Sequence, residues 1–114
     1  YIAEKIQRVM WENVFVARNR RGLEQALGEL QKIKRDMLLK VYASKTNLME
    51  ALSLRSLILT GEAVATAALT REESRGNHYR EDFPQRNDEK WLNNILLRKK
   101  GQKMVTEIVK PQRI

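Results

Sequence analysis

The chain has 114 residues and carries 22 Lys and Arg against 14 Asp and Glu, a formal net charge of +8. That length suits one domain, and the absence of cysteine excludes disulfides and thiolate metal sites, so stability must come from helix packing or from a larger partner. The sequence has no uncharged apolar run near the roughly 20 residues that a bilayer crossing needs, and no secretory leader pattern, so insertion into a membrane is not expected. The positive charge is divided equally between residues 1–70 and 71–114 and is dense only from Arg98 to Ile114, which argues against a phosphate-binding surface.

From Tyr1 to about Ala17, the residues Ile2, Ile6, Val9, Met10, Asn13 and Val14 share one helical face, with Trp11 and Phe15 beside it. Val14 and Val16 suit helix or extended chain equally, and Asn19 to Gly22 reads as a break. The pattern begins in mid-turn and without methionine, so the chain is expected to be cut from a longer polypeptide. A second helix is predicted from about Leu23 to Leu39, on Leu23, Ala26, Leu27, Leu30, Ile33 and Met37, begun by Asn19 or the Gly22 region. Gly28 within it is either a weak point or a place of close backbone approach.

The third helix has the clearest start: Asn47 as N-cap with Glu50 three residues later forms a capping box. From Leu48 to Leu59 it is apolar around most of its circumference, which predicts a central helix enclosed on more sides than this chain can cover. One broad side open to water would remove that basis. Gly61, Ala63, Ala65, Ala67 and Ala68 continue it with small side chains, and Gly76 closes a helix or turn beyond it. Asn77 to Asp88 reads as an ordered loop. Trp91, Ile95 and Leu97, then Met104 to Val109, alternate as two short strands around a turn at Gly101.

The expected fold is therefore mainly α: a spectrin-repeat-like three-helix bundle over 1–76, then a loop and a short C-terminal β-hairpin or extended segment over 77–114 in the same domain. His78 is the only imidazole; it either titrates beside a carboxylate or orders the loop through backbone bonds, the latter being favoured. The adjacent acids Glu72 and Glu73, Glu81 and Asp82, and Asp88 and Glu89 point apart on a regular element and are expected to pair with Arg71, Arg75, Arg80 and Arg86. Arg75 is expected to anchor the bend rather than to bind substrate. Five scattered glycines form no phosphate loop, so a self-contained cofactor enzyme is improbable.

The stretch Arg71-Glu72-Glu73-Ser74-Arg75-Gly76-Asn77-His78-Tyr79-Arg80-Glu81-Asp82-Phe83-Pro84, followed by Arg86, Asp88, Glu89 and Trp91-Leu92, resembles the carboxy-terminal region of succinate dehydrogenase and fumarate reductase flavoproteins. The resemblance covers nearly the whole chain and implies a helical domain appended to a flavin-binding domain. It implies FAD, substrate-binding residues and covalent flavin attachment upstream, with no catalytic, cofactor or metal residue in this chain. It further implies two partners, an upstream flavin domain and an iron-sulfur subunit, with a cytoplasmic location at the membrane face. By the same analogy Glu73, Ser74, Arg75, Gly76, His78, Arg80 and Asp82 form a structural bend used in docking. L-aspartate oxidase and adenylylsulfate reductase resemble the same plan. The alternatives from other classes are a basic module binding nucleic acid through Arg98 to Arg113 and a helical oligomerisation module using the alanine face from Gly61 to Leu69.

Overall fold

The computed structural model describes residues 1–43 and 47–112. Three long helices, α1 (Ile2–Asn13), α2 (Arg20–Ala43) and α3 (Leu48–Thr70), precede a single helical turn α4 (Asp88–Trp91) and two seven-residue strands, β3 (Asn94–Lys100) and β4 (Lys103–Val109). Two residue pairs, β1 (Ala17–Arg18) and β2 (Tyr79–Arg80), run parallel and stitch the α1–α2 connection to the bend after α3. The mainly helical class, the three helices and the terminal hairpin all match the expectation from sequence.

Apolar spacing explains the helices. Ile6 and Val14 of the first segment, Leu23, Ala26, Leu30, Ile33 and Met37 of α2, and Ile58, Ala65 and Ala68 of α3 are buried together in two contiguous clusters. Gly61 of α3 is a place of close approach: an added Cβ would stand 3.2 Å from both Leu30 Cδ1 and Met10 Sδ. Gly28 is the weak point instead, since a Cβ there would meet nothing within 4 Å.

Several boundaries move. α1 ends at Asn13 rather than near Ala17, because the chain turns extended to pair with Tyr79–Arg80, and the β-branched Val14 and Val16 accept that path. α2 starts at Arg20, where Asn19 Oδ1 accepts the Gly22 N–H at 2.9 Å as an N-cap. At α3 the Asn47 side chain accepts from Met49 N–H (3.1 Å), one residue before the position a capping box uses, while Glu50 lies in the first turn beside the positive helix end. Trp91 belongs to α4 and not to a strand: Asn87 Oδ1 caps that turn at Lys90 N–H, and the indole is buried. The hairpin turn has Gly101 at φ +61°, the left-handed region that suits glycine in a two-residue loop. The hairpin leans on α3 with Ile95, Leu97 and Met104 half-buried.

Among the described residues the enclosure expected of α3 is absent. Among them α1, α2 and the hairpin cover part of the helix, and Leu48, Met49, Leu52 and Leu59 lie exposed, Leu59 by 53%. Two neighbouring helices and a two-stranded ribbon cannot surround a helix that is apolar on most sides. Burial of α3 therefore gives no support by itself to a buttressing role. The small-residue face of Gly61, Ala65 and Ala68 is already buried against Leu30, Met10 and α2, which removes it as an oligomerisation surface. By length and hydropathy α3 would also pass for a membrane-crossing helix; here it packs along one stripe and carries a nearly buried Glu62 paired with Lys34 at 3.1 Å.

Candidate functional site: the arginine bend

α3 stops at Thr70 and leaves its last carbonyls facing inward, where a cation must satisfy them. Arg80, returning on β2, does so: its guanidinium is fully buried and donates to the carbonyls of Ala68 (2.9 Å), Leu69 (3.0 Å) and Arg71 (3.3 Å). The other two nitrogens grip Asp82 in a two-pronged contact at 2.8 and 2.7 Å, and the group lies 5.0 Å from the centre of the Phe83 ring. A positive charge thus sits at the negative end of the helix. Hydrogen bonds from Arg80 hold the Asp82 carboxyl down to about 2 against the opposing effect of burial. Ser74 fastens the same strand, accepting Arg80 N–H at 2.9 Å and donating to Phe83 C=O at 2.8 Å.

Glu73 is the second centre and is fully buried. Its Oε1 accepts from Arg71 (2.7 Å) and Arg75 Nε (2.8 Å), and its Oε2 from Asn87 N–H (2.9 Å) and Arg75 (3.2 Å). Burial alone would raise its pKa; the hydrogen bonds from Arg75, Asn87 N–H and Arg71 outweigh that and bring it to about 2. Arg75 also contacts Asp88, and these two carboxylates raise its own pKa. Arg71 then reaches the carbonyls of Trp91 (2.9 Å) and Asn93 (2.7 Å), so one cluster fixes the end of α3, the bend and the entry to the hairpin. Between these centres the chain reverses tightly, with Arg75 and His78 exchanging both backbone bonds around Gly76 at φ +56°.

His78 orders the loop. Its Nε2 lies 3.1 Å from the Arg71 carbonyl, which only accepts, so Nε2 carries the hydrogen and Nδ1 accepts from Arg18 at 2.7 Å. Burial lowers its pKa against the opposing bond to the Arg71 carbonyl, and the charges of Arg18, Arg80 and Arg71 lower it further. Of the residues singled out from sequence, Glu73, Ser74, Arg75, Gly76, His78, Arg80 and Asp82 come together here, while Asn47 and Glu50 stand at the opposite end of α3. The adjacent acids diverge as expected: Glu72 meets Arg20 and Lys90, and Glu81 meets Asn19. Arg18, Asn87 and Arg20, whose N–H caps Asp82 at 3.1 Å, were missed. A readable signal existed, since Arg71, Glu73 and Arg75, Arg80 and Asp82, and Arg86 and Asp88 recur at i, i+2, the spacing that puts side chains on one side of extended chain.

The charged groups of the bend are taken up by internal partners, and among the described residues no set of three or more His, Cys, Asp and Glu could hold a metal. The arrangement rivets three segments together and presents no acid pair or activated nucleophile. A sequence profile described as "Fumarate reductase flavoprotein C-term" matches residues 3–114. The chain belongs to this family. It is 40% identical over 104 residues to a fumarate reductase (CoM/CoB) polypeptide of Methanothermobacter marburgensis, a match that covers 87% of this chain and 19% of that protein. It is 36% identical over 81 residues to an L-aspartate oxidase of Pyrococcus abyssi, covering 71% of this chain and 14% of that protein. The structure of Mycobacterium smegmatis Sdh1 in complex with UQ1 is similar with a TM-score of 0.84 at 27% identity, covering 98% of this chain and 20% of that one. The chain thus spans about a seventh to a fifth of the length of such relatives and corresponds to the C-terminal part of a larger flavoprotein. Among the described residues no phosphate cradle for a flavin is formed: the glycines lie scattered at 22, 28, 61, 76 and 101, and the bend's cations are committed to Glu73, Asp82 and Asp88.

Proposed function

We propose that this chain is the catalytically silent helical domain of an FAD-dependent oxidoreductase that moves two electrons to or from a dicarboxylate. Helices and bend of 1–76 and the loop and hairpin of 77–114 act as one unit that packs on the flavin-bearing domain, and the bend sets the angle of that packing. The observation that carries the reading is the internal commitment of the bend: Glu73, Arg75, Arg80 and Asp82 bind one another and backbone, leaving rigidity as their contribution. FAD and substrate then belong to the upstream domain, an iron-sulfur subunit is the expected electron partner, and the assembly sits at the cytoplasmic face of a membrane without insertion of α3. Several relatives named as flavoprotein subunits of fumarate reductase and succinate dehydrogenase support this choice. The likeness to L-aspartate oxidase supports a second reading, in which the parent enzyme oxidises that amino acid.

Calorimetric titration of the chain with FAD, fumarate and succinate tests the reading. No saturable binding is expected; stoichiometric, tight binding of any of the three would overturn it.

A further inference from the structure

Outside the bend, an open apolar groove lies between α1 and α3. Arg8, Met10, Trp11, Phe15 and Arg18 line it together with Val64 of α3. The Trp11 and Phe15 rings stack with centroids 4.3 Å apart, yet the two side chains are 67% and 53% exposed. Stacked aromatics and an arginine are the side chains that carry most binding energy at protein interfaces.

Arg18 differs from its neighbours. Arg71, Arg75, Arg80 and Arg86 each meet a carboxylate, whereas the half-buried Arg18 reaches only neutral acceptors among the described residues: Val14 C=O through Nε (2.6 Å) and His78 Nδ1 through one terminal nitrogen (2.7 Å). Burial pushes its pKa down with no carboxylate opposing it. Its second terminal nitrogen makes no hydrogen bond among the described residues and stays open to solvent, where a carboxylate can reach it. His78 fixes the fork in place, because its Nε2–H bond to Arg71 C=O obliges Nδ1 to accept.

We propose that this groove is where the chain docks on the flavin-bearing domain of its own polypeptide, receiving a segment with a bulky apolar side chain beside an acidic one whose carboxylate pairs with Arg18. The inference rests on the domain-support reading above and adds the face and the chemistry of the segment it receives. Relatives about five times as long supply the covering domain, and a guanidinium that meets no carboxylate among the described residues supplies the charge complementarity. The exposed Leu48, Leu52 and Leu59 row on α3 carries Arg55 in the same stripe, but among the described residues no hydrogen bond holds that guanidinium in place.

The test uses the full-length polypeptide with the photo-reactive residue p-benzoylphenylalanine placed at Trp11 or, separately, at Leu52, and maps the crosslinked peptides by mass spectrometry. The Trp11 probe should couple within the same polypeptide to a peptide upstream of Tyr1 that contains Asp or Glu. Arg18→Gln should reduce the yield on the order of tenfold and Arg18→Lys less, with unchanged circular dichroism. Coupling from Leu52 but not Trp11 would overturn the groove and leave the support reading standing. Coupling from neither would overturn both, and coupling from Trp11 to a second copy or to another polypeptide would overturn the groove's assigned occupant.

Discussion

Glu73→Gln isolates the buried carboxylate that ties three segments together. The amide keeps one oxygen, so it can still accept from either the Arg71 and Arg75 Nε pair or the Asn87 N–H and Arg75 pair, but its NH2 then opposes the two donors on the other side. Two bonds and the compensating charge are lost in a site with no exposure, while Arg71 and Arg75 retain some contact with water. The expected loss is about 2 to 5 kcal/mol. Thermal melting by circular dichroism at pH 7 should therefore fall by roughly 8 to 20 °C. The pH dependence adds a second readout. Glu73 has a folded pKa of about 2 against 4.5 unfolded, so its contribution is complete above 4.5 and is lost as pH falls toward 2. The gap in melting temperature between wild type and variant should be constant above pH 5 and shrink below 4.5; the lowered pKa of Asp82, being present in both proteins, cancels. A variant melting within 2 °C of wild type at pH 7, or a gap unchanged down to pH 3, would refute the reasoning.

The remaining predictions concern single positions. Ile58→Ala should destabilise the chain by about 2 to 5 kcal/mol in urea melts, and Leu59→Ala by under about 0.5, because one is buried and its neighbour faces water; equal effects would contradict the observed orientation of α3. Gly28→Ala should stabilise by about 0.5 to 1 kcal/mol, whereas Gly61→Ala should destabilise by about 1 to 3 through contact with Leu30 and Met10, both read from denaturant midpoints. His78, the only imidazole, should titrate below 6.5 by NMR. Since its folded pKa lies below the unfolded value, the stability it confers is present above 6.5 and declines as pH falls from there. A midpoint at or above 6.5 would rule out the neutral ring between Arg18 and the Arg71 carbonyl.

The helical faces were legible because the period of apolar residues is set by the backbone: Ile6 and Val14, then Leu23 to Met37, occupy the core where their spacing puts them. The glycine turns at 76 and 101 were legible for the same local reason. Two features escaped. Trp91 alternates in sequence like a strand residue, yet the Asn87 cap and the carbonyl bonds from Arg71 hold it in a helical turn. The apolar circumference of α3 signalled enclosure, but pattern cannot say which covering surface lies in the same chain, and Leu52 and Leu59 stay exposed. In the bend, the partnership of arginines with acids was foreseen in kind. That Arg80 would be fully buried as the C-terminal cap of α3 depends on the tertiary return of β2 and has no local signal.

The central claim is mechanical support of a flavin-bearing body by a domain with no chemistry of its own. Its most direct measurement is the melting of the separately produced flavin-bearing part, followed by flavin fluorescence, with and without this chain added in trans. A one-to-one complex should raise that midpoint, by an amount equivalent to roughly 2.7 kcal/mol when the chain is at one hundred times its dissociation constant. An unchanged midpoint at saturating chain would contradict the account.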